Sequence, residues 1–142
     1  MDKKQFKYAE WLTGLPDCPP PNYREVEMTA YRFAHADLQH PNNFKPNRVL
    51  QPNRVLLSSA MKCKAWGLSF FDSPGGARAS FRKQLSKIPD FAKFVGTHLA
   101  AVRLSRDDGV ASQPETTNFG HFTFHEYIWA DFVTKIDSSE PI

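Results

Sequence analysis

The chain has 142 residues, a net charge of +3, 41% hydrophobic residues and 13% aromatic ones. That is enough for one domain with a real core, and too ordered a composition for a disordered tail. No apolar run approaches the ~20 residues of a membrane span, and the charged start MDKKQFKYAEWLTG has no apolar stretch of signal-peptide type. The expectation is a soluble cytoplasmic protein without a membrane partner.

Twelve Phe, four Tyr and three Trp let few elements build a solid core, and eleven Pro argue for rigid turns and short elements. Cys18 and Cys63 lie far apart with no CxxC spacing. Nothing in the spacing supports a disulfide, so free buried thiols in a reducing cytosol are expected. Charge is uneven. Residues 45–106 hold twelve Lys and Arg against only Asp72 and Asp90, while residues 107–142 hold seven acids against Lys135. The basic middle can face solvent, a phosphate or the acidic tail.

In chain order, residues 3–13 read as a short helix with Phe6, Ala9 and Leu12 inward and Gly14 as its stop. Residues 15–23, LPDCPPPNY, must be extended: an arm packed on its own domain, or a polyproline segment for an aromatic groove. Residues 24–35 read as a first strand, with Arg32 on the face of Val26, Met28 and Ala30. A charge among such neighbours needs an acidic partner or a ligand. His40-Pro41-Asn42-Asn43 is a turn, and KPNRVL-QPNRVL over residues 45–56 is a loop duplication that sets Arg48 and Arg54 in equivalent surroundings.

Residues 57–64 are a connector with helical character. Residues 65–94 are the clearest unit. Trp66, Leu68, Phe70 and Phe71 make a buried strand, Ser73 an N-cap and Pro74 a first helical residue. Ala77, Phe81, Leu85 and Ile88 form the inner stripe, and Pro89 stops the helix. Residues 97–105 are a strand buried on both faces, followed by an Asp108-Gly109 turn. Residues 111–118 are a polar, mobile surface loop. Residues 119–132 continue as a strand, with His121, Thr123 and His125 on one face and Phe122, Phe124 and Glu126 on the other. The tail, residues 135–142, should fray. Together these elements predict a single α+β domain: a mostly antiparallel, aromatic-rich sheet with two or three short helices.

No strong chemical motif is present. His121 and His125, four apart on a strand, stand ~13 Å apart, beyond the reach of one metal, so no metal is expected. Ser69, Cys63 and five His supply the parts of a nucleophile site, but nothing matches the GxSxG elbow or a Walker loop.

The order of elements resembles the ADP-ribosyltransferase fold of NAD-using bacterial toxins. Tyr31-Arg32 on the first strand, Leu68-Ser69-Phe70-Phe71 before the helix, and Phe124-His125-Glu126-Tyr127 on the late strand carry the resemblance. It departs in two ways: Phe124 replaces the usual acid or glutamine, and the Ser-Thr-Ser triplet is reduced to Ser69. The resemblance implies Glu126 and Ser69 as catalytic residues, and Arg32, His35, Phe70 and Tyr127 as contacts to NAD. Such chemistry needs a carboxylate at the developing sugar cation, a cation on the pyrophosphate and a ring against nicotinamide. The competing expectation is a non-catalytic module. It would bind a protein partner, or a nucleic acid through Arg48, Arg54, Arg78, Arg82 and Lys83.

Overall fold

A computed structural model describes residues 4–142. The element order is α1 (Ala9–Leu12), β1 (Met28–Ala34), α2 (Asn47–Leu50), α3 (Ser59–Ala65), β2 (Leu68–Phe71), α4 (Pro74–Lys87), α5 (Phe91–Val95), β3 (His98–Leu104), β4 (Gly109–Ala111), β5 (His121–Glu126) and β6 (Ile136–Pro141). The strands form one antiparallel sheet in the order β4-β5-β2-β1-β3-β6. This is the expected α+β domain, with more and shorter helices than the sequence suggested. Among the described residues, no helix is long and apolar enough to cross a membrane.

The two faces of the sheet differ. On one, Leu68, Phe70, Phe122, Phe124 and Phe132 pack with Ala30, Val102 and Leu104 into the main core. Phe70 touches Phe122, Phe124 and Phe132 at ring separations of 5.9, 5.8 and 6.1 Å, in stacked and edge-on pairs that favour such a cluster. On the other, Phe71, Ala77 and Leu99 form a smaller cluster under α4, with Tyr31, Phe33 and Phe119 packed against it.

The unit spanning β2 and α4 follows its sequence closely. Ser73 Oγ accepts the Gly76 N–H at 3.1 Å and Pro74 opens the helix, so two of the orphan positions at its start are settled locally. Ala77 and Phe81 are buried as expected, but Leu85 and Ile88 are exposed. The helix has left the sheet by its last turns, and α5 folds back so that Phe91 packs on Phe81 and Phe33 in their place.

Other expectations need correction. The tail does not fray: β6 pairs with β3, and Arg103 meets Asp137 at 3.0 Å while Arg78 meets Glu140 at 3.3 Å. Part of the acidic end therefore answers the basic middle. Cys18 and Cys63 are not free thiols but a disulfide, tying the proline-rich arm to α3. The helix expected over residues 3–13 is only Ala9–Leu12, and residue 3 lies outside the described residues. The first strand begins at Met28, with Arg24 held by an isolated bridge to Ala111. The tandem repeat is not equivalent in its two copies, since Asn47–Leu50 is helical and the second copy is not. The polar stretch over residues 111–118 is tied to the sheet through β4 and a bridge from Glu115 to His121.

Candidate functional site

β1 and β2 share one registered pair, Tyr31 with Phe71. Beyond it the backbones part, and the Arg32 side chain fills the gap. Its Nη1 donates to the Ser69 carbonyl oxygen at 2.9 Å, Nε to Asn43 O at 2.7 Å and Nη2 to Lys45 O at 3.1 Å. The guanidinium carbon lies 5.9 Å from the ring centres of both Phe44 and Phe70. Asn43 is itself buried. It accepts the His35 N–H and donates to Asp37 O, which fixes the turn that presents those carbonyls. Burial lowers the Arg32 pKa to about 10, with Glu126 pulling the other way, so the group stays cationic near neutrality. Among the described residues no carboxylate lies within ion-pair distance of it.

Where the strands part, a cleft of about 400 Å³ opens between the sheet, α4, α5 and the α2 segment. Arg32, Ser69 and His121 line it together, with Lys45 and Arg54 from the tandem repeat. A second hollow of about 340 Å³ shares Arg54, Ser69 and His121 with it and adds Lys64 and Thr123. No Asp or Glu is among the described residues lining either one. The two arginines of the repeat have different jobs. Arg54 donates to Asn47 Oδ1 at 2.9 Å beside the cleft, while Arg48 donates to the Arg54 carbonyl at 3.0 Å.

His121 enters β5 directly after Gly120, whose φ of +80° and close approach to the Asp72 side chain leave no room for a Cβ. The ring stands edge-on to Phe71 at 5.5 Å. Its Nε2 is 3.0 Å from Ser69 Oγ and its Nδ1 is 3.4 Å from Glu115 Oε1. Burial holds the His121 pKa below its usual value. Glu115 opposes that, while Lys64 and Arg32 add to it. The imidazole is therefore largely neutral at pH 7. A carboxylate only accepts, so the shared proton with Glu115 sits on Nδ1 and leaves Nε2 to accept from the serine hydroxyl.

Arg32 thus meets Ser69 through the serine's backbone carbonyl and both line the cleft, but Glu126 does not join them. Ser69 is registered opposite Thr123, and Phe70 opposite Phe122. Glu126 alternates with Phe122 and Phe124, so it belongs to the core face. It is buried, paired with Lys7 at 3.1 Å, and its Oε2 has no hydrogen-bond partner. Burial raises its pKa while Lys7 and Arg32 lower it. Phe70 is fully buried, so no ring can stack on it from the cleft. Tyr127 is buried against Phe6 and donates to Glu25 at 2.8 Å. His35 stacks on His40 with ring centres 3.9 Å apart, and neither lines the cleft. Arg78 is engaged with Glu140 and the Pro141 carbonyl, Lys83 lies over the Phe119 ring at 5.6 Å, and Arg82 is exposed on α4.

His125 lies with Cys18 and Cys63 in a cluster of metal-ligand type, within 4.8 Å. The two sulfurs are bonded to each other, and a metal needs thiolates, so the cluster as it stands is no metal site. Sequence reasoning missed Glu115 and Asn43 altogether. Both sit in polar turns with no distinguishing spacing: the pairing of β5 with β2 gives Glu115 its role, and the fold of the turn after β1 under Arg32 gives Asn43 its own. No family model matches the chain, and no curated protein or solved structure does.

Proposed function

We propose that the protein binds NAD, or a nucleotide of similar charge, in the cleft between β1 and β2, as ADP-ribosyltransferases do, but without a catalytic carboxylate at the position of Glu126. The carrying observation is the charge of the cleft: among the described residues Arg32, Lys45 and Arg54 line it and no acid does. Cations gathered in a hollow without counter-charge favour an anionic ligand, and arginine suits a pyrophosphate through paired N–H donors. Arg32 is committed to three carbonyls, so it sets the positive field, and Arg54 is the more accessible hand. Glu126 cannot act on a sugar in this cleft, because it lies on the core face beside Lys7. The reading keeps the ligand class and moves the chemistry to the groups beside Ser69. The disulfide favours an oxidising compartment over the cytoplasm.

Titration calorimetry with NAD tests this. Micromolar to millimolar binding that weakens with salt is expected, and Arg54→Ala should weaken it ~10-fold, the worth of one charge-assisted hydrogen bond. Release of nicotinamide by the wild type would establish turnover. Absence of NAD binding, with an oligonucleotide bound instead, would favour the non-catalytic module that contacts nucleic acid.

A further inference from the structure

We propose that Ser69, His121 and Glu115 form a nucleophile, base and orienting carboxylate, and that the cleft opens carboxylic esters carrying an anionic group. The inference rests on the anion-binding character of the cleft argued above, but not on NAD being its ligand. Three observations carry it. The Ser69 hydroxyl is exposed at the mouth of the cleft rather than packed. His121 Nε2 stands 3.0 Å from it, within the reach a general base needs. Glu115 Oε1 lies 3.4 Å from Nδ1, on the far side of the same ring, which fixes the tautomer and balances a developing imidazolium. The three residues come from β2, from the start of β5 and from the turn before it, so the arrangement is made by strand pairing and not by a local motif.

The reaction balances without an added reactant other than water. Ser69 Oγ bonds to the ester carbonyl carbon while its proton passes to His121 Nε2. The ester C–O bond breaks, and the departing alkoxide takes that proton back from Nε2. A water then repeats the sequence, releasing the carboxylic acid and restoring the serine. Arg32, anchored on the Ser69 carbonyl, adds positive charge to the cleft, and Arg54 selects substrates with a remote negative charge.

A fluorophosphonate probe followed by peptide mapping tests the nucleophile. Wild-type protein should be labelled at Ser69. His121→Gln should slow labelling ~100-fold or more, the usual worth of a positioned base. Glu115→Gln should move the midpoint of the rate-against-pH curve to lower pH, an effect that loss of packing alone would not produce. Hydrolysis of mono-para-nitrophenyl succinate should exceed that of para-nitrophenyl acetate, and Arg54→Ala should erase the preference. Circular dichroism checks that each variant is folded. A folded wild type whose Ser69 stays unlabelled, or a His121→Gln protein labelled at the wild-type rate, would overturn the proposal. The NAD reading fails separately, through loss of nucleotide binding in an otherwise probe-reactive protein.

Discussion

β2 and β5 carry two different regions on the same few residues. Leu68, Phe70, Phe122 and Phe124 face one way and are almost wholly buried; Ser69, His121 and Thr123 face the other and border a charged hollow. Packing and chemistry are one residue apart along each strand, because side chains alternate. The two glutamates near β5 show what that spacing decides. Glu126, in step with the phenylalanines, is buried and neutralised by a lysine. Glu115, outside the strand, is half exposed and orients a histidine. A residue's type does not give it a role here; the place the strand pairing gives it does.

The comparison can be broken most forcefully on the core side. Phe70→Ala should cost about 3–5 kcal/mol of stability, since a ring touching three others is removed from a packed interior. Ser69→Ala, its neighbour, should change stability by less than ~0.5 kcal/mol. Urea denaturation of the pair measures the contrast directly, and equal losses would deny that the two sides differ in function.

Acid titration comes next. Burial depresses the His125 pKa from 6.5 to about 4. As pH falls below 6.5 the unfolded chain takes up a proton that the folded one refuses, so stability is lost between about pH 6.5 and 4, up to ~3 kcal/mol. Glu126 works against this. Its folded pKa is raised, so above 4.5 the unfolded chain gives up a proton first and stability falls with rising pH. Melting curves across this range should steepen in Glu126→Gln and flatten in His125→Gln.

Reduction of the Cys18–Cys63 bridge should cost ~2–4 kcal/mol, because the bond closes a long loop in the unfolded chain. Arg32, Lys45 and Arg54 lie within the closed loop but neither cysteine lines the cleft, so NAD affinity and probe labelling at Ser69 should survive reduction at temperatures where the protein remains folded. Loss of both together would tie the two regions more tightly than the geometry implies.

How far the sequence disclosed this depends on the element. The β2–α4 unit was legible because its signals are local: an aromatic run, Ser73 as cap and Pro74 at the first turn. Arg32 could be singled out as a charge in an apolar setting, and Ser69 as the one polar residue in its strand. Even the alternation that sets Glu126 with Phe122 and Phe124 can be read from periodicity. What periodicity lacks is which side of β5 meets Ser69, and that is a question of register between strands distant in sequence. The same limit hid β6. Its run Ile136–Pro141 has little strand preference, and it pairs because the edge of β3 offers unsatisfied backbone groups. The disulfide joins residues 45 apart, a proximity made only by folding.

With a single rung between Tyr31 and Phe71, the sheet is two stiff leaves stitched at one point, and the guanidinium is the second stitch. No other pair of neighbouring strands in the sheet shares so few registered residues. A ligand that grips both leaves would act as a clasp, slowing amide exchange along the seam while leaving the outer strands unchanged.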